Sequence, residues 1–166
     1  MNKANELNLV APSLQLATEF IWREAELLDR KDYKQWSDLW SETGRYVVPI
    51  DPDTTDFEAT LNYAYDDARM RAMRIERLTS GHSVSAVDAA RTVRTVSRFT
   101  EASSDADVIE VCSAQILVAY KRERHTLFAA DLTHRLRFTQ GGIRIEQKVV
   151  RLINSTDSLN ALGFLL

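Results

Sequence analysis

The hydrophobic pattern of this 166-residue chain changes period near residue 91, from helical spacing to strand-like alternation. Before that point apolar residues recur every three or four positions, which is typical of amphipathic helices. After it apolar and polar residues alternate over long runs, which is typical of half-buried strands. This order predicts an α+β fold in which three N-terminal helices cover a strongly curved antiparallel sheet. The length suits a single domain spanning residues 1–166.

Capping residues define the predicted helices. The first follows a loose polar arm, residues 1–12, and begins after the N-cap Ser13. The second begins at Asp32, where Gln35 completes a capping box. The third spans roughly residues 66–78, with an aspartate at its start. Its inward face is predicted to consist of Ala68, Ala72, Ile75 and Leu78.

Strand signals dominate the second half of the chain. A short strand is expected earlier, at residues 45–48, and should end at Pro49 because proline cannot donate to a ladder. Four long strands then follow from Arg91 onward, separated by turn-forming runs near residues 103–107, 121–124 and 140–142. One face of the third long strand is predicted to carry Phe128, Ala130, Leu132, Leu136 and Phe138.

Composition argues against several classes of protein. Lys and Arg number 21 against 24 Asp and Glu, so the net charge of −3 gives no support for a nucleic-acid partner. No apolar run has the length of a membrane span, and the first ten residues lack a secretory signal. We therefore expect a cytoplasmic protein. The single cysteine, Cys112, lies in an apolar strand and is interpreted as a buried thiol.

Several short segments together form an ordered, spaced series. They are residues 20–36 (FIWREAELLDRKDYKQW), 45–50 (RYVVPI), 66–70 (DDARM), 74–81 (RIERLTSG), 91–92 (RT) and 162–166 (LGFLL). In this order they resemble the beta (small) subunits of aromatic-ring-hydroxylating dioxygenases, over roughly residues 14–166. The chain departs from that pattern at Ala89-Ala90, where family members often carry Pro-Ser.

The resemblance implies the nuclear transport factor two-like fold, a cone-shaped curved sheet wrapped by helices. It also implies a larger alpha subunit as partner, holding a Rieske [2Fe–2S] cluster and a mononuclear non-haem iron. Such enzymes are often hexamers of three alpha and three beta subunits, in which the beta subunits form a trimer. They dihydroxylate aromatic compounds, and the beta subunit is expected to support assembly without catalytic residues of its own. The resemblance does not identify the aromatic substrate.

The residue inventory agrees with an absence of iron sites on this chain. A Rieske cluster requires two cysteines and two histidines, whereas the sequence has one cysteine. A facial-triad iron requires two histidines and a carboxylate that converge. The three histidines are His82, His125 and His134, and the last two lie nine residues apart on one predicted strand, on opposite faces. We therefore predict no metal and no cofactor on this chain.

A stand-alone enzyme of the same cone-shaped fold, such as an isomerase, dehydratase or hydrolase, is the alternative hypothesis. Its candidate pocket residues are His134, His82, Tyr46, Tyr63, Asp66 and Asp67. His134 shares the inward face of its strand, where it is either a hydrogen-bonded core histidine or an acid–base group. Asp66 and Asp67 also suit helix capping. A binding module without chemistry would use the same pocket.

Two features are candidate subunit contacts. Arg91, Arg94 and Arg98 are predicted to form a basic stripe on one strand, either solvated or paired with acidic groups of a neighbouring subunit. Residues 159–166 form an apolar tail that must pack back on its own domain or dock on another chain. Docking is predicted in part, through Phe164, Leu165 and Leu166.

Overall fold

The fold is a curved, unclosed mixed sheet with helices on its concave side. This computed structural model describes residues 9–80, 90–157 and 162–166. The elements of these ranges are α1 (Leu14–Asp29), α2 (Tyr33–Asp38), β1 (Trp40–Pro49), β2 (Asn62–Asp66), α3 (Ala68–Thr79), β3 (Arg91–Ser104), β4 (Val108–Lys121), β5 (Arg124–Thr139) and β6 (Gly142–Leu152). The strand order is β2-β1-β6-β5-β4-β3. The predicted α+β fold is confirmed, with one correction: β1 pairs with β6 in parallel, so the sheet is not purely antiparallel.

Helix α1 begins as its N-cap predicts and protects one edge of the sheet. Ser13 accepts a hydrogen bond from the backbone N–H of Leu16 at 3.2 Å. At the edge strand β3, the indole of Trp22 donates to the carbonyl of Val96 at 2.9 Å. The carboxylate of Asp29 accepts from the backbone N–H of Arg94 at 2.9 Å. These side chains pair main-chain groups of an edge strand that would otherwise be open to another chain.

The caps of the next two helices differ slightly from the predicted pattern. Asp32 accepts from the backbone N–H of Gln35 at 3.1 Å, as expected. The amide of Gln35 donates to the Asp32 carboxylate rather than accepting from its main chain, because the Asp32 N–H already donates to the carbonyl of Leu27. Helix α3 is capped by Asp67, whereas Asp66 is the last residue of β2.

The predicted inward face of α3 is correct for two of its four residues. Ile75 and Leu78 are partly buried against the hydrophobic core, whereas Ala68 and Ala72 are exposed. The buried residue is Arg71, whose guanidinium lies 4.1 Å from the ring centre of Trp40. It also donates to the main-chain carbonyl of Gly44 in β1. A long cationic side chain spans the gap between helix and sheet here, and the cation–π contact compensates its loss of water.

Strand β1 is longer than predicted, and β2 was not predicted. The pairing of β1 with β6 shifts register between Trp40 and Arg45, so β1 bulges around Gly44. The strand ends at Pro49 as expected, although it lies inside the sheet between β2 and β6. β2 is five residues long, too short for its alternation to stand out from the loop before it.

The four long strands confirm the alternation of the second half. The predicted inward residues of β5, from Phe128 to Phe138, are all buried and lie in the hydrophobic core with α1. His134 is buried on this face, and His125 is exposed on the other. Within the described ranges, no helix is both long enough and apolar enough to cross a membrane.

Substitution of Gly44 by alanine is expected to destabilise the fold. An added Cβ would lie 2.8 Å from the carbonyl oxygen of Ile145 and 2.8 Å from the indole of Trp40, and the backbone oxygen cannot move freely. We expect the free energy of unfolding to fall by about 1–3 kcal/mol in urea titrations. Gly141→Ala is the matched control, because its Cβ would meet no atom closer than 3.7 Å. Equal losses of unfolding free energy for the two substitutions would contradict the close approach of Gly44 to Ile145 and Trp40.

Candidate functional site

A buried group of polar side chains lies inside the cone, where α1 packs against the sheet. Glu24 of α1, His134 of β5 and Lys148 of β6 are each at most 1% exposed. The Glu24 carboxylate lies 2.9 Å from His134 Nε2 and 2.9 Å from Lys148 Nζ. The indole N–H of Trp36 donates to the same carboxylate at 3.0 Å. We call Glu24, Trp36, His134 and Lys148 the interior cluster.

The charges of the interior cluster follow from its contacts. Burial by itself raises the pKa of Glu24, but the ammonium of Lys148 and the hydrogen bond from His134 outweigh it and hold that pKa well below its usual range. Burial lowers the pKa of His134, against the opposing effect of Glu24, so the ring is neutral at pH 7. Its Nε2–H therefore donates to Glu24. Its Nδ1 is a buried acceptor without a hydrogen-bond partner among the described residues.

The end of the apolar tail packs against this cluster. Phe164, Leu165 and Leu166 are all buried within their own chain. The Leu166 carbonyl oxygen accepts from Lys148 Nζ at 3.2 Å and from the Tyr46 hydroxyl at 3.3 Å. The tail thus packs on its own domain, where the cone interior offers these donors as well as apolar contacts. A contact of these three residues with another subunit stays a prediction. Residues 159–161 lie outside the described ranges.

The three arginines do not form the predicted stripe. Arg94 is buried and points inward, where its Nε donates to Asp29 at 2.9 Å and its Nη2 donates to the carbonyl of Leu165 at 3.0 Å. Arg91 is exposed on the opposite face because it has the opposite parity. Arg98 follows a register shift, is exposed, and pairs with Asp131 of the same chain. A contact of Arg91 or Arg98 with another subunit stays a prediction.

Three of the predicted pocket residues, Tyr46, Asp66 and His134, are buried in the interior. Tyr46 shares the Leu166 carbonyl with Lys148, and His134 shares the Glu24 carboxylate with it. Asp66 is the cross-strand neighbour of Tyr46 and pairs with Arg74. Asp67 and Tyr63 lie apart from these residues. Asp67 caps α3, the Tyr63 hydroxyl donates to the carbonyl of Ser155, and His82 lies outside the described residues.

Sequence reasoning missed Glu24 and Lys148, although a signal was present. Glu24 occupies a core position of α1, three residues after the buried Ile21. Lys148 shares the parity of the buried Val150 and Leu152 on β6. A charged residue within an apolar face implies a buried partner, since an unpaired charge there is very costly.

The interior cluster joins α1, α2, β5 and β6, and residues 162–166 pack against it. Among the described residues, open grooves of about 480, 430 and 490 Å³ lie on the surface, and His134 lines none of these three. No three His, Cys, Asp or Glu side chains of the described ranges converge as a metal site would require.

The convex face of β3, β4 and β5 carries an exposed apolar patch. Val93 is 69% exposed, Leu127 64% and Ile116 50%. Val93 pairs with Val118, which in turn pairs with Leu127, so these three side chains form one row across three strands. Ile116 and Tyr120 flank Val118 along β4. We call these five residues the outer patch, and such a patch is typical of an interface.

Stability should depend on pH through Glu24. Because its pKa in the folded chain lies below the unfolded value of 4.5, its stabilising effect is fully present above pH 4.5 and is lost as the pH falls. Glu24→Gln is expected to lower the free energy of unfolding by about 3 kcal/mol at pH 7. The difference from the unmodified chain should shrink at pH 3, measured by urea unfolding monitored by circular dichroism.

The matched control is Glu26→Gln, which changes an exposed carboxylate of the same helix that pairs with the exposed Arg30. Its effect should stay within about 0.5 kcal/mol at both pH values. A Glu24→Gln difference that is the same at pH 7 and pH 3 would contradict the assignment of a buried, ionised Glu24.

Comparison with known proteins agrees with this architecture. The family model described as "Ring hydroxylating beta subunit" matches residues 23–158. The benzene 1,2-dioxygenase subunit beta of Pseudomonas putida is 30% identical over 93% of this chain and 90% of that subunit. The biphenyl 2,3-dioxygenase subunit beta of Rhodococcus jostii is 29% identical over the same shares of each.

A solved structure gives the same fold. The beta subunit of the benzoate 1,2-dioxygenase from Burkholderia mallei superposes with a TM-score of 0.76 at 20% identity, over 94% of this chain and 99% of that one. The family model and the relatives thus agree on one family, and the solved structure has the same fold. This chain belongs to the ring-hydroxylating beta subunit family, which is also the family of dioxygenase subunits such as the two relatives above.

Proposed function

We propose that this chain is the non-catalytic structural subunit of a Rieske non-haem iron dioxygenase that dihydroxylates aromatic compounds. Family membership is the observation that carries the proposal. The filled interior supports it: residues 162–166 lie against Lys148 and Tyr46, where a stand-alone enzyme of this shape would need room for a substrate. The subunit's own contribution is a rigid body on which the catalytic subunits assemble. We place the complex in the cytoplasm.

The iron groups belong to the alpha subunit in this proposal. The sequence has one cysteine, and a Rieske cluster requires two. Cys112 lies partly buried on β4. His125 and His134 face opposite sides of β5, so they cannot converge on one iron. With both iron groups on the partner, the complex would add dioxygen across an aromatic double bond, using electrons that a reductase delivers from NADH.

Self-association as a trimer within a hexamer of three alpha and three beta subunits is the second part of the proposal. The outer patch supports it, because three strands present adjoining apolar side chains to solvent. Arg98 and Asp131, which pair with each other on exposed side chains, could set orientation at its rim. Burying this face against a second beta subunit would remove it from water.

Co-expression with the cognate alpha subunit tests the assembly. We expect a mixed complex on size exclusion with mass measurement, with iron that remains with the alpha subunit when the two are separated. Leu127→Asp should shift the mass to smaller species, because it places a charge within the outer patch at a highly exposed position.

Leu61→Asp is the matched control, since Leu61 is also highly exposed but lies before β2, on the other side of the sheet order. It should leave the mass unchanged. A beta chain that stays monomeric and ignores the alpha subunit would contradict the scaffold role. Stoichiometric iron on the isolated beta chain would contradict the placement of the cofactors.

A further inference from the structure

Polar side chains inside the cone form hydrogen bonds with the main chain of the tail, as they would with a ligand. The Leu166 carbonyl accepts hydrogen bonds from Lys148 and Tyr46. The Leu166 N–H donates to the Tyr46 oxygen at 3.1 Å. The carbonyl of Leu165 accepts from the guanidinium of Arg94 at 3.0 Å. Three side chains from β1, β3 and β6 therefore converge on two consecutive carbonyl oxygens.

The donors of this site exceed what the tail uses. Arg94 donates from Nε to the Asp29 carboxylate and from Nη2 to the Leu165 carbonyl. Its Nη1 is buried without a hydrogen-bond partner among the described residues. Lys148 can donate three hydrogen bonds, of which one goes to Glu24 and one to Leu166. A negatively charged group that only accepts would bind these cationic donors more strongly than neutral carbonyls do and could also accept from the donors that remain.

An aromatic ring already fills the apolar part of the same space. The ring of Phe164 packs edge-on against Phe128 of β5, with the ring centres 5.6 Å apart. Phe164 is buried, and it immediately precedes the two residues whose carbonyls are bound. The interior thus accommodates a ring beside a cluster of hydrogen-bond donors.

We propose that residues 162–166 occupy, within their own chain, a binding site for a small arylalkyl carboxylate, and that displacement of the tail exposes it. The carboxylate would accept from Arg94, Lys148 and Tyr46, and the ring would take the place of Phe164 against Phe128. The site is separate from the proposed outer-patch interface, so it goes beyond the scaffold role.

The test uses 3-phenylpropionate as the probe and isothermal titration calorimetry as the measurement. The intact chain, whose site is filled, should bind it weakly or not at all. A variant lacking residues 162–166 should bind it clearly, and should bind 3-phenylpropan-1-ol about 10-fold to 100-fold more weakly, because the alcohol lacks the charge-assisted hydrogen bonds.

Tyr46→Phe in the shortened chain should weaken binding of the acid by removing one donor, and Tyr63→Phe should not, because that hydroxyl contacts Ser155 instead. A folded shortened chain that binds neither compound, or both equally, would overturn the proposal. So would equal binding by the two tyrosine variants.

A second variant keeps the proposal testable if the shortened chain fails to fold. Phe164→Ser in the full chain loosens the tail by removing its ring contact with Phe128. 3-Phenylpropionate should then raise the melting temperature of this variant more than the alcohol does, since a ligand that binds only the folded state stabilises it. The same melting temperature with and without the acid would overturn the proposal.

Discussion

The buried carboxylate of Glu24 is the interaction on which the arrangement of this protein depends. A carboxylate in an apolar interior is tolerated only when it is paired and hydrogen-bonded. Here Trp36, His134 and Lys148 all contact it, so four side chains from α1, α2, β5 and β6 must be in place together. Lys148 extends the network to Leu166, which connects the tail to the same point. The helices, the sheet and the tail are thereby fixed relative to one another.

With the tail in place, the subunit contacts of the proposed assembly lie on the outside of the molecule. The cone interior is occupied by side chains and by the tail, while the convex face presents apolar residues across three strands. A fold shared with enzymes does not by itself imply catalysis. In this family member the polar groups of the interior bind one another and the chain's own main chain. Such a body suits a subunit that holds others in position.

The sequence predicts those parts of the fold that depend on local pattern. Alternation located β3 to β6 because each strand is long and has one buried face, and Ser13 located the start of α1. Strand β2 has only five residues, which is too few for alternation to predict it. The inward position of Arg71 depends on the distance between α3 and the bulge of β1, which no local pattern encodes.

The site was predicted only in part, for a related reason. His134 and Tyr46 were identified by parity and residue type, but their role depends on partners that are remote in sequence. Glu24 meets His134 across 110 positions and Lys148 across 124. Apolar character showed that the tail must be buried, but it did not distinguish the chain's own interior from another subunit. That choice was made by the donors of Lys148, Tyr46 and Arg94.

A double-mutant cycle tests most directly whether the interior cluster acts as one unit. Glu24→Gln, Lys148→Met and the double variant are compared with the unmodified chain by urea unfolding at pH 7. The account predicts a coupling energy of about 2 kcal/mol or more, well above the value of at most about 1 kcal/mol expected for the exposed pair of Arg98 and Asp131. Additive effects within about 0.5 kcal/mol would contradict it.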